Sequence, residues 1–318
     1  MPTASFPANP LQWRIGFIGY GEVARILSED LRSLGVLVNA HDTKFNTSTL
    51  QAQQMRDHAQ RTGVQVHDSH ALVCSNSDLV ISAVTASQTL AAAKACAAHM
   101  HENAFFLDLN SASPGTKKSA AAAINPSGAR YVEAAVMTSV PPYRVRVPML
   151  LGGAFAADAG LALTQLGFHT RVASEELGVA SATKMSRSIM IKGMEAMVIE
   201  SLGTARYYGV EDAVMASLYE TFPGVDWEKQ ASYFFQRVIA HGRRRSEEMR
   251  EVAVTVQEAG LTPWLAAATA QRQAHMADLA DAGIFKNQAE TTNTLDADWR
   301  THADRLLQHH STLNNQAP

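Results

Sequence analysis

The sequence predicts an α/β chain: a doubly wound parallel sheet followed by an all-α domain. Three observations carry this reading. Short apolar runs alternate with helix-period segments through the first half of the chain. The strand-like runs are mainly apolar rather than alternating with polar residues, as strands covered on both faces are. After about residue 173 the strand signals stop and only helical periodicity remains. With 318 residues, 46% of them hydrophobic, the chain can build two cores. The expected division is 1–173 for the α/β domain and 174–318 for the helical one, with a long inter-domain helix from about 181.

The elements follow in order. "RIGFIGYG" is a buried strand that breaks at glycines. "EVARILSEDLRSLG" places Val23, Ile26, Leu27, Leu31 and Leu34 at helical spacing and closes on Gly35. "VLVNAHD", "DLVISAV" and "AFFLDLN" are further strands, the last two separated by the helix-like "SQTLAAAKACAAHM". "RYVEAAVM" and "PMLLGG" continue the series. Beyond them, helices are expected at about 181–209, 211–221, 226–259 and 262–282, interrupted by Pro223, Gly224, Gly260 and Pro263. The polar end "HHSTLNNQAP" reads as frayed.

Composition excludes several function classes. A net charge of −3 offers no electrostatic case for binding nucleic acid. No apolar run is long enough to span a membrane, and "MPTASFPANPLQW" lacks the basic start and apolar stretch of a signal peptide. Cys74 and Cys96 have no disulfide-framework or metal-ligand spacing. No metal is expected, and the thiols read as small apolar residues in a reducing cytoplasm.

The first turn carries chemistry. Gly19-x-Gly21-x-x-Ala24 is a dinucleotide fingerprint that leaves a buried strand and opens a helix. Glycines let the backbone approach a pyrophosphate, and the helix beginning at Glu22 and Val23 points its N–H groups at the negative charge. Gly19, Gly21, Glu22 and Val23 are therefore candidate cofactor residues, in a Rossmann-type domain. Asp42 ends the second strand, where a carboxylate accepts from ribose hydroxyls and repels a 2′-phosphate. That favours NAD; Lys44, two residues on, leaves NADP possible. Thr85, after "VISAV", belongs to a strand-end loop that lines the crevice of such a sheet, or caps the next helix. In "FLDLNSASPG", Ser113 and Pro114 start a helix. Asn110 and Ser111 precede them at the crevice edge, as candidate substrate contacts.

"GFIGYGEVA", "DLNSASP", "VEAAVM" and "GVASATKMSRS" together resemble, in order and spacing, the β-hydroxyacid dehydrogenases, which include 3-hydroxyisobutyrate and 6-phosphogluconate dehydrogenases. The resemblance spans most of the chain. It implies a Rossmann domain with a helical domain after it, oxidation of a β-hydroxy acid with NAD or NADP, a homodimer formed through the helical domain, and Lys184 as general acid/base. The chain departs from the family at several places. Arg187 and Ser188 stand where asparagines usually follow the lysine, and Met137, Thr138 and Ser139 replace a Ser-Gly-Gly loop. Thr138, Arg187 and Ser188 are thus candidate substrate contacts of altered specificity. The segment "AHGRRRSEEMREV" looks like a lesser-known branch; His241 and Arg244 there are candidates for a second anion anchor, salt bridges being the alternative.

A free lysine, with pKa ~10.4, is protonated at neutral pH. Partial burial and a neighbouring cation lower that value, and Arg187 lies three residues from Lys184. Arg187 also suits bidentate carboxylate binding. Lys192, eight residues on, either lines the site or pairs with Glu195 or Glu200. Two alternatives to the dehydrogenase are an imine reductase of the same architecture, against which the retained Lys184 argues, and a dinucleotide-binding sensor without turnover.

Overall fold

The computed structural model describes residues 7–285 and 298–314. Residues 1–6 of the segment read against a signal peptide, and 315–318 of the polar end, lie outside them. The chain divides into two compact units, Met1–Met185 and Ser186–Pro318.

The first unit is one eight-stranded sheet in the order β3-β2-β1-β4-β5-β6-β7-β8. The strands are β1 (Arg14–Ile18), β2 (Leu37–His41), β3 (Gln65–Val66), β4 (Leu79–Ser82), β5 (Phe105–Asp108), β6 (Arg130–Val136), β7 (Met149–Gly152) and β8 (Thr170–Ser174). The helices between them are α1 (Glu22–Ser33), α2 (Leu50–Thr62), α3 (His70–Ser75), α4 (Thr89–Ala97), α5 (Pro114–Ile124) and α6 (Ala156–Gln165). β1 to β6 pair in parallel; β7 is antiparallel to β6 and parallel to β8. The expected all-parallel sheet is thus refined at one edge. Only a single 3₁₀ turn at Arg144–Arg146 lies between β6 and β7, so no α-helical crossover carries the chain back to a parallel start. Each parallel crossover that does exist is covered by a helix, as the apolar strand runs require.

Both sheet faces are buried, with the two-residue period of strands. Ile15, Phe17, Leu79, Ile81, Phe105, Leu107 and Val132 pack on one face. Ile18, Val80, Phe106 and Tyr131 pack on the other with α3, α4 and α5 residues, including Cys74 and Cys96. Gly16 faces α3: a Cβ there would collide with Val73 and Ser77.

The second unit holds most of α7 (Val179–Tyr208), then α8 (Glu211–Thr221), α9 (Trp227–Glu258), α10 (Trp264–Asp281) and α11 (Trp299–Asn314). The first four match the periodic segments of the sequence. α11 runs into the end read as frayed, because Trp299, Ala303 and Leu306 bury against Phe235 and Leu279 in the helical core. α9 and α10 form an antiparallel pair in close approach: a Cβ on Gly242 would stand 2.7 Å from the Gln273 carbonyl oxygen. No helix among the described residues is long and apolar enough to cross a membrane.

Candidate functional site

The first unit concentrates the predicted residues at the carboxyl ends of β1, β4 and β5. Ile18 pairs with Ser82 and Ser82 with Asp108, so the loops after these strands leave the sheet at one level. The strand order reverses between β1 and β4, and a crevice opens where neighbouring loops diverge to opposite faces.

Gly19 has φ +86°, and a Cβ on it would stand 2.6 Å from the Ala83 carbonyl oxygen. Only glycine fits between the β1 and β4 loops there. Gly21 is the opposite case: it is exposed, with nothing within 4 Å of where a Cβ would stand. The turn is therefore packed on one side and open on the other, directly before the first turn of α1. The N–H groups of that turn have no intrahelical acceptor. This cradle fits a pyrophosphate. Glu22 is exposed at the mouth of the turn; Val23, half-buried, packs its side chain against the core beneath.

Asp42 braces this turn. Its Oδ2 accepts from Tyr20 N (2.8 Å) and its Oδ1 from Lys44 N (2.8 Å). The carboxylate keeps further lone pairs and stays half-buried at the end of β2. Lys44 Nζ donates to Gln51 Oε1 at 3.2 Å. Between the cradle's glycines, Tyr20 is buried, its hydroxyl 2.9 Å from His58 Nδ1. His58 Nε2 meets Glu29, and Glu29 pairs with Arg144. That places Arg144 against α1.

The β5 loop divides the labour differently from the sequence reading. Asn110 is buried, and its side chain bridges the sheet: Oδ1 accepts from Val84 N (2.8 Å) and Nδ2 donates to Ser82 Oγ (2.9 Å). It ties β4 to β5 and holds up the loop. Ser111, half-buried, accepts from Lys184 Nζ at 2.6 Å. The predicted proton carrier and the predicted substrate contact thus meet within one unit. Thr85 is exposed, its hydroxyl 3.3 Å from that of Ser87. Thr138 is exposed just past the end of β6.

Beneath the loop lies a buried polar floor. Asp108 forms an ion pair with Lys117 (2.8 Å), both nearly inaccessible, and also accepts from Tyr131 Oη (2.7 Å) and Asn110 N (2.9 Å). Lys117 also donates to the Asp108 carbonyl at 3.0 Å. Burial, and then the Asp108 carboxylate, push the Tyr131 phenol well above its ordinary range. One strand over, Glu133 accepts from the backbone at the start of α7. Sequence reasoning assigned none of Lys117, Tyr131 or Glu133 a role. The available signal was an acid within each of two otherwise apolar strands, since a buried carboxylate needs partners.

Arg187 and Ser188 follow on α7, in the second unit; Arg187 is exposed and Ser188 buried. On α9, the arginine run meets carboxylates: Arg243 pairs with Asp278 and Asp281, Arg244 with Glu248, and Arg245 with buried Glu195. His241 is exposed one turn before. Lys192 pairs with Glu248 at 2.6 Å, not with Glu195 or Glu200, whose partners are Arg245 and Arg272. Burial lowers the Lys192 ammonium below its usual range, against the pull of Glu248.

Comparison with known proteins follows the same division. Residues 14–156 match the NAD binding domain of 6-phosphogluconate dehydrogenase, and residues 205–276 match a domain of unknown function, DUF1932. A conserved hypothetical protein from Sinorhizobium meliloti 1021 is 36% identical, covering 93% of this chain and 96% of its own, with a TM-score of 0.71. The conserved protein MTH1747, of unknown function and described as structurally similar to 3-hydroxyacid dehydrogenases, is 30% identical over 85% of this chain and 98% of its own, at TM-score 0.64. The 3-hydroxyisobutyrate dehydrogenase of Mycobacterium tuberculosis shares the fold, with TM-score 0.64, 16% identity, and 93% and 99% of the two chains covered. With a nicotinamide-dinucleotide domain built on the glycine cradle and a helical domain shared with these relatives, the chain belongs to the β-hydroxyacid dehydrogenase-like family.

Proposed function

We propose that the protein is an NAD-dependent oxidoreductase that oxidises a β-hydroxy acid, or reduces the matching keto or semialdehyde acid. The observation that carries this reading is the 2.6 Å hydrogen bond from Lys184 Nζ to Ser111 Oγ, beside the crevice of a dinucleotide-binding sheet. Gly19, Gly21 and the first turn of α1 hold the cofactor's pyrophosphate, and Asp42 faces its ribose. Bound there, the nicotinamide supplies a hydride acceptor. Ser111 takes the substrate hydroxyl into the hydrogen bond it shares with Lys184. Lys184, in its unprotonated form, accepts the hydroxyl proton as the carbinol is oxidised, and returns it in the reverse direction. Asp42 supports NAD over NADP, since a 2′-phosphate would stand against a carboxylate already fixed by two N–H groups.

A panel of 3-hydroxyisobutyrate, 3-hydroxypropionate, serine and 6-phosphogluconate, followed by reduced-cofactor absorbance, tests this reading. Lys184→Ala is expected to lower turnover by roughly 10²–10⁴-fold while leaving NADH affinity intact. A Lys184→Ala protein with near-normal rate sinks it, as does a wild type inactive on every acid in both directions.

The helical unit supports a homodimer. Its open groove of about 660 Å³ is lined by Met197, Tyr208, Val210 and Leu265 beside exposed Trp264. Analytical ultracentrifugation reads this directly; a monomer at micromolar concentration refutes it.

A further inference from the structure

Glu133 is the one charged residue inside β6 after its first position, and it is fully buried. Its Oε1 accepts from Gly178 N (2.7 Å) and Ala180 N (3.2 Å). These N–H groups sit at the beginning of α7, whose first turn closes with Ala182 N to Gly178 O at 2.8 Å. Gly178 has φ +100°, a conformation that brings its N–H round to the carboxylate. The space for this contact is made by the antiparallel edge of the sheet. Gly152 on β7 stands opposite Glu133, and a Cβ on it would lie 2.9 Å from the Glu133 Cγ. The second oxygen, Oε2, is buried without a hydrogen-bond partner. A carboxylate left half-satisfied in a core is costly. It is sustained here by two N–H donors and by the positive end of a helix dipole.

Lys184 follows Ala180 by four residues, hence on the same line of α7. The two positions are about 6 Å apart along the axis at 1.5 Å per residue. The ammonium reaches Ser111 at 2.6 Å from a side chain of comparable length. On that lever, a tilt of roughly 10° at the first turn displaces Nζ by about 1–2 Å, enough to break the bond, and a misplacement of ~1 Å is worth about 10² in rate.

We infer that Glu133 is a positioning residue: by clamping the first turn of α7 it aims Lys184 at Ser111. The inference rests on Lys184 being the proton carrier, while its test reads the clamp without needing turnover. Wild type, Glu133→Ala and Glu133→Gln are treated with N-hydroxysuccinimidyl acetate over a range of pH, and Lys184 acetylation is followed by peptide mass spectrometry. Hydrogen exchange of the amides from Gly178 to Lys184 and NADH affinity are measured on the same proteins. In Glu133→Ala, exchange in the first turn of α7 rises at least tenfold, and Lys184 acetylation changes at least threefold with a displaced pH profile. NADH affinity stays within twofold. Glu133→Gln keeps a carbonyl acceptor at Oε1 and returns both readings to within twofold of wild type. The inference is overturned if Glu133→Ala leaves Lys184 acetylation at the wild-type rate and profile, or if NADH affinity falls in step with the exchange change. Should Glu133→Ala not fold, Glu133→Asp decides: one methylene shorter, it must draw the first turn inward and alter Lys184 acetylation at least threefold, and no change refutes the clamp. A wild type that shows this labelling pattern but oxidises none of the hydroxy acids rejects the proposed activity and leaves the clamp standing.

Discussion

Lys117→Met removes the cation from the buried floor and leaves the Asp108 carboxylate behind. Both residues are 1% accessible, and the ammonium stands 2.8 Å from Oδ1 and 3.0 Å from the Asp108 carbonyl. Methionine matches the lysine stem in length, so the change is one of charge rather than volume. Removing one partner of a buried ion pair costs about 3–5 kcal/mol, because the other charge stays desolvated. Here Asp108 retains two donors, Tyr131 Oη and Asn110 N. The loss therefore falls at the low end, about 3 kcal/mol. For a unit of this size each kcal/mol lowers Tm by about 2–4 °C, giving a drop of roughly 6–12 °C. Scanning calorimetry that separates the transitions of the two units measures it, with the helical unit's transition unmoved. Asp108→Asn in the Lys117→Met background neutralises the stranded charge and is expected to recover part of the loss. A Tm within about 2 °C of wild type, or no coupling between the two substitutions, refutes the reasoning.

Gly19→Ala forces a side chain into a positive-φ position 2.6 Å from the Ala83 carbonyl. NADH affinity is expected to fall at least tenfold, measured by fluorescence titration, since the cradle must shift to relieve the contact. Gly242→Ala pushes α9 from α10 at the Gln273 carbonyl, and the helical unit should lose about 1–3 kcal/mol in urea unfolding. His302 lies between Phe235 and Phe285, and burial, then Arg305, lower its pKa to about 4. The folded state thus holds it neutral while the unfolded chain takes up a proton near pH ~6.5. Its contribution to stability is full above that value and is lost as pH falls toward about 4, amounting to roughly 2 kcal/mol near pH ~5. His302→Leu should flatten the stability–pH curve of the helical unit over this window; an unchanged slope refutes the assignment.

The dinucleotide turn was legible in the sequence because it depends on local geometry. A glycine pair between a strand and a helix has one principal use, and Gly19 and Gly21 serve as its packed and open halves. Ser111 was picked out from its strand-end loop and Lys184 through the family resemblance, but their 2.6 Å contact joins positions 73 residues apart, which no spacing reveals. Asn110 shows the complementary case. Its chain position suggested a substrate contact, yet the amide is held between Ser82 and Val84, because a loop leaving a sheet at a crevice must itself be braced. Glu133 and Lys117 were passed over because charged residues in apolar segments look like exceptions until their partners are known. In the helical unit, the sequence left the arginine run open between an anion anchor and salt bridges, and the structure pairs Arg243, Arg244 and Arg245 with carboxylates. Which acid answers each arginine depends on how α9 packs on α7 and α10.

By itself the sequence determined the two-part architecture, the dinucleotide turn and the identity of the candidate proton carrier. The first two follow from a period or a steric requirement carried by consecutive residues; Lys184 is the candidate because its segment resembles that of the β-hydroxyacid dehydrogenases. The tertiary structure alone decided the antiparallel β6–β7 edge, the buried floor of Asp108, Lys117 and Tyr131, and the capture of the α7 start by Glu133. The edge follows from the short β6–β7 connection, while the floor and the capture depend on desolvation. A charge is committed to a partner only once the fold has removed its water, and the partner is whatever group the packing brings within about 3 Å.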